Sequence, residues 1–111
     1  MGETVESPIR ITPAFFFLLL TLVDGERHGY GMAKEVEERS DGAVNLGPGS
    51  LYWSLSRLAS TGLIEETKGD NASESARRRY YRLTDLGHTV LKQEVETLSR
   101  VVSFARAKRV L

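Results

Sequence analysis

Between Ala14 and Val23 the chain carries a single polar side chain, Thr21, and it runs through Phe15-Phe16-Phe17-Leu18-Leu19-Leu20 without interruption. Thr12-Pro13 just before it is a helix start: the threonine hydroxyl can satisfy a free amide, and proline is tolerated at the first helical position. The run therefore predicts a helix to about Val23, closed by Asp24-Gly25 and apolar nearly all round. A bilayer span needs roughly 20 apolar residues, so this stretch is too short to cross a membrane. The tail before it holds Glu3, Glu6 and one arginine, Arg10, which does not suit a secretory leader. A helix without a polar face must be buried on more than one side. In 111 residues, one side is expected to meet the core and the other a second subunit.

The other elements follow from caps and spacing. Glu26-Arg27-His28-Gly29 reads as a loop with a short extended piece, and a second helix is expected from about Tyr30 to Ser40. Its repeating positions are Tyr30, Ala33 and Val36, which predict its inner face. Pro48 starts a third helix with the apolar stripe Leu51, Leu55, Leu58, closed by Gly62 in the left-handed cap position. Residues 63–67 and 78–83 read as two strands joined by a polar hairpin tip. Thr84-Asp85 caps a last helix reaching about Lys108. Its apolar positions, Leu86, Val90, Leu91, Val95, Leu98, Val101, Val102 and Ala105, repeat over about three heptads, as in a coiled-coil seam.

The expected fold is mainly α with a small β-hairpin. It divides into a tail (1–11), a winged helix-turn-helix (12–83) and a C-terminal dimerisation helix (84–111). Lys+Arg and Asp+Glu both number 15, so net charge does not decide between partners; only local placement can. From Lys68 to Arg82 there are five basic and two acidic side chains, a local balance of +3. Between Gly42 and Ile64 the only charged residue is Arg57, so the third helix is electrostatically thin.

There is no cysteine, which removes disulfides and thiolate chemistry and fits a reducing, cytoplasmic setting. The two histidines, His28 and His88, are too few for a closed zinc site. No nucleophile elbow, paired-acid motif or dinucleotide fingerprint is present, so neither an enzyme nor a cofactor is expected.

Four segments together carry a family resemblance. They are His28-Gly29-Tyr30-Gly31, Gly47-Pro48-Gly49-Ser50-Leu51-Tyr52, Leu58 with Gly62-Leu63-Ile64, and Arg79-Tyr80-Tyr81-Arg82-Leu83-Thr84 with Gly87. Over about Pro13 to Val90 the chain resembles the PadR family of transcriptional regulators. The single long helix after the wing is similar to its short subfamily, which dimerises through that helix and the first one. Trp53 departs from the family pattern, where a basic residue commonly follows the tyrosine.

The resemblance implies a homodimeric repressor on double-stranded DNA, with a pseudo-palindromic operator. The alternative is a winged-helix module that binds protein or a small molecule and no DNA. The candidate DNA-binding residues are Lys34, Ser50, Tyr52, Trp53, Arg57, Arg77, Arg78 and Arg79. Each has a plainer reading beside it. Tyr52 and Trp53 can pack against neighbouring helices, the wing arginines can pair with Glu65 and Glu66, and Lys34 can pair with Glu38. His28 and Tyr30 are read as mainly structural. Phe17, Thr21, Leu91, Val95, Leu98 and Val102 are candidates for the dimer interface, or for a hydrophobic effector cavity within it.

Overall fold

A computed structural model of the chain describes residues 9–67 and 79–111. The elements run α1 (Pro13–Thr21), β1 (Arg27–His28), α2 (Gly29–Arg39), α3 (Pro48–Ser60), β2 (Ile64–Thr67), β3 (Tyr80–Leu83) and α4 (Asp85–Ala107). Arg77, Arg78 and the hairpin tip lie outside the described residues.

α1 starts as its sequence demands, with the Thr12 hydroxyl accepting from the Phe15 N–H at 3.2 Å. It buries Phe15, Leu18 and Leu19, and Leu22 follows them into the core. These join Met32 and Val36 of α2, Leu55 and Leu58 of α3, Leu63, Ile64, Tyr81 and Leu91 in one cluster. Each fully buried leucine there contributes about 1.5–3 kcal/mol. The opposite side of α1 is less covered: Leu20 and the following Val23 are exposed, while Phe16 is half-buried against the core.

The expected two-stranded hairpin is in fact a three-stranded antiparallel sheet of order β1-β3-β2. Glu65 faces Arg82 and Glu66 faces Tyr81 across β2 and β3. Arg27 and His28 pair with Tyr81 and Tyr80 on the other edge of β3. The central strand has polar backbone groups on both edges, and the chain entering α2 satisfies the second edge. Two residues are too few for a strand pattern to show in sequence.

A second correction concerns α2. Tyr30 does not belong to its inner face; it is 74% exposed, and the buried residues are Met32 and Val36. His28 caps the helix, its Nδ1 accepting from the Gly31 N–H at 3.1 Å, so α2 begins at Gly29. Tyr30 then lies about 200° around the helix from Met32.

An ion-pair cluster fastens the start of α2. The Arg27 guanidinium meets Glu35 at 2.7 Å and donates to the Gly31 carbonyl at 3.2 Å, while Arg39 reaches Glu35 at 3.3 Å. The Arg27 hydrogen bond, opposed by partial burial and helped by Arg39, holds the Glu35 carboxyl below its ordinary value. A depressed carboxylate pKa adds stability above the unfolded value and loses it as pH falls through the folded one. Glu35→Gln should therefore cost about 0.5–1 kcal/mol near pH 7. Urea denaturation at about pH 7 and about pH 3 checks this: the gap between variant and wild type should close at the acid end.

α4 is capped by Thr84, whose hydroxyl oxygen accepts from the Gly87 N–H at 2.9 Å. Its 23 residues extend about 35 Å, yet within it only Gly87 and Leu91 are buried. Most of this helix therefore leaves the domain.

Candidate nucleic-acid interface

Among the described helices, α3 alone starts without a side-chain cap. Thr12, His28 and Thr84 cap the others, whereas Gly47 leaves the α3 N-terminus with no side-chain hydrogen bond. Gly47, Pro48, Gly49 and Ser50 are all exposed. The Leu51 N–H is satisfied by the Gly47 carbonyl at 2.8 Å. The amides of Gly49 and Ser50 thus stand at an open, positively polarised helix end, which favours a phosphate.

The base of the wing lies beside that end. The Arg79 guanidinium sits over the Tyr52 ring, 5.4 Å from its centroid, and its Nε is 3.8 Å from Glu66. Both partners come from the fold: Tyr52 stands one turn inside α3, and Glu66 sits on the neighbouring strand of the sheet. Arg82 pairs with Glu65 on the exposed face. Arg79 and Arg82 are thus ion-paired on the surface, with Glu66 and Glu65. Such pairs are weak, about 1 kcal/mol or less, and yield readily to a phosphate. Beneath them Tyr81 is buried; its burial, with Glu66 nearby, pushes the phenol above its ordinary value and keeps it neutral.

The remaining candidates separate. Trp53 stacks on Phe15 of α1, with centroids 6.2 Å apart and planes 15° apart, yet it is 63% exposed. One indole face is packed and the other is open. Arg57, one turn further on, is exposed beside it, and Arg10 lines the same shallow depression. Lys34 is exposed on α2 and forms no ion pair with Glu38 among the described residues.

The dimer and effector candidates also divide. Leu91 is core, and Thr21 is buried with its hydroxyl donating to the Leu18 carbonyl at 2.7 Å. Phe17 is half-buried. Val95, Leu98 and Val102 are 40%, 43% and 40% exposed. With Leu91 and Ala105 they follow spacings of four and three, the seam of a coiled coil.

The family model for the transcriptional regulator PadR-like family matches residues 18–93, from α1 into α4. The chain belongs to this family. PadR-like proteins are DNA-binding regulators of transcription and not enzymes, and this chain is one of them. A PadR family transcription regulator from Clostridium difficile is similar in structure, with a TM-score of 0.69 and 27% identity, covering 84% of this chain and 96% of that one. The structure of H. salinarum RosR gives a TM-score of 0.66 and 31% identity, over 89% of this chain and 86% of that one. An uncharacterized 37.1 kDa protein of a Streptomyces fradiae transposon is 33% identical over 93 residues, which are 84% of this chain. The match spans only a quarter of that relative's length.

Three features of this PadR-like chain escape a reading of its sequence. Helical spacing assigns Tyr30 to packing, but its ring lies open beside His28, stacked at 6.4 Å. The row Phe16 and Leu20 of α1 with Val23 just after it is also missed, although its i, i+4, i+7 spacing marks it once Leu18, Leu19 and Leu22 are assigned to the core. Phe104, exposed on α4 beneath Lys108, lies off the seam. Among the described residues no helix is long and apolar enough to cross a membrane.

Proposed function

We propose that this chain is a cytoplasmic, homodimeric repressor that reads a pseudo-palindromic operator and releases it when a hydrophobic effector binds. The observation that carries the DNA reading is the uncapped α3 end with Arg79 poised over Tyr52 beside it. In this reading α3 enters the major groove. Its Gly49 and Ser50 amides and the Ser50 and Tyr52 hydroxyls meet phosphate, with Trp53 and Arg57 on the flank nearer α1. Lys34 reaches the backbone from the crossing helix. Arg77, Arg78 and Arg79 of the wing supply charge that α3 lacks. The α4 seam pairs two copies, so that two reading heads sit about 34 Å apart, one turn of duplex. An effector lodged between Phe17 and the seam would change that spacing, and only one spacing fits the groove.

Salt dependence of binding to the duplex upstream of the gene tests the DNA reading. Arg77→Ala with Arg79→Ala should weaken binding about tenfold or more and flatten the log–log salt slope by about two per subunit. Full affinity with an unchanged slope would remove the wing from the interface.

Glycine supplies a second test of the same reading. A Cβ built on Gly47 or Gly49 meets nothing within 4 Å, and Gly47 has an ordinary φ of −72°. The fold therefore has no need of glycine at either place, whereas close approach of a DNA backbone does. Gly49→Ala should raise stability by about 0.5 kcal/mol and yet weaken DNA binding about tenfold. Thermal melts and fluorescence anisotropy on one preparation read the two opposite signs.

A further inference from the structure

We infer that Trp53 reads a thymine of the operator, its open indole face covering the C5-methyl group in the major groove. The inference rests on the DNA reading proposed above and names a base contact within it. At about 100° per residue, Gly49, Trp53, Ser56 and Ser60 share the side of α3 opposite the buried Ser54, Leu55 and Leu58. All four are exposed. Tyr52 flanks this face toward the wing, under Arg79, and Arg57 flanks it on the other side, toward α1. A helix laid in the major groove turns such an outward face to the base edges. Glycine has no side chain to read with, and a serine hydroxyl both donates and accepts, so it discriminates little. Trp53 is therefore the side chain of this face that offers a broad apolar surface. Among the groups that base pairs present in the major groove, the thymine methyl is the apolar one. The indole face and that methyl are complementary, and burying both removes apolar area from water.

The ring is held ready for the contact. It stacks on Phe15, whose own side chain is 4% exposed and fixed in the core. Binding then has little side-chain freedom left to freeze. The charge around the indole suits a DNA strand. Arg10 and Arg57 line the same shallow depression as Trp53, and no acidic residue does. Neither arginine forms an ion pair among the described residues. Two uncommitted guanidiniums can hold the phosphates of the strand that carries the thymine. Those contacts set position, and the methyl contact beside them sets sequence.

The test removes the methyl group and nothing else. Each thymine of the upstream duplex is replaced singly by deoxyuridine, which keeps every hydrogen-bonding group of the base. In fluorescence anisotropy, wild type should lose affinity about threefold or more at one position in each half-site. Trp53→Ala should bind the intact duplex more weakly and be indifferent to that replacement. Trp53 is the sole tryptophan of the chain, so its intrinsic emission reports on the contact directly. That emission should change when the intact duplex binds, and change less with deoxyuridine at the critical position. A merely structural tryptophan gives a different pattern: the variant weakens, yet still ranks thymine above deoxyuridine as wild type does. That pattern, or a wild type that tolerates deoxyuridine everywhere, would overturn the inference and leave the DNA reading standing. The scan on wild type needs no variant, so it decides the matter even should Trp53→Ala misfold. A wild type that binds no duplex would overturn both readings together.

Discussion

Gly87→Ala is expected to destabilise the fold by about 3 kcal/mol or more, a large loss for the addition of one methyl group. A Cβ at this position would lie 2.0 Å from the Leu63 carbonyl oxygen and 2.9 Å from Leu83 Cδ1. The obstacle is backbone, which cannot swing aside as a side chain can. That carbonyl also accepts from the Thr84 N–H at 3.1 Å, and the Thr84 hydroxyl lies 2.6 Å from the Gly62 oxygen. Moving Leu63 would loosen the joint between the end of α3, the sheet and α4 together. For a domain of this size the melting temperature should fall by roughly 10–20 °C. The same joint sets the direction in which α4 leaves the reading head. A second-site variant that restores stability should therefore still show altered operator affinity. Differential scanning calorimetry, followed by DNA titration of the survivors, checks both halves.

The second large effect concerns the seam. Val95→Asp with Leu98→Asp should convert the dimer to monomers, raising the dissociation constant by about a thousandfold or more, some 4 kcal/mol. In the proposed dimer a two-fold axis at the seam would bring each new carboxylate near its own copy, so burial and like-charge repulsion would act together. The folded subunit should survive, because both side chains are already exposed on it and the core face of α4 ends at Leu91. Operator affinity should fall by roughly 10²–10⁴, since two linked heads become two independent weak ones. Sedimentation velocity measures the first change and anisotropy the second. A variant that remains dimeric would shift the interface to the α1 row of Phe16, Leu20 and Val23. A monomer with undiminished operator affinity would show that one head suffices.

Much of the fold is legible in residues whose influence is local. Thr12-Pro13, Pro48 and Thr84-Asp85 mark three helix starts, and all three occur where those residues place them. Leu55 and Leu58, and the alternation of Tyr81 with Arg82, declare their inner faces. Tyr30 is not placed by sequence, because an aromatic residue at helical spacing suits a core and an exposed flank equally. Its position follows from where His28 begins the helix. β1 is legible only as an extended piece, since two residues pair with β3 only after the chain has brought them to its free edge. Trp53 divides its faces between Phe15 and solvent, so packing and exposure each account for one side of the indole. Lys34 and Glu38 stand one turn apart, a spacing that permits an ion pair without compelling it.

Residue order alone determined the four helices and the two strands of the hairpin, which stripe of α4 is apolar, and that the α3 end carries no side-chain cap. These are decided by hydrogen-bond geometry and periodicity within a few residues. Tertiary structure alone decided that Arg79 meets Tyr52, that Trp53 stacks on Phe15, and that α4 departs where Gly87 touches Leu63. Those contacts join residues far apart in the chain and on different elements, and their partners are set by how the elements pack around Leu18, Leu19, Met32 and Leu58.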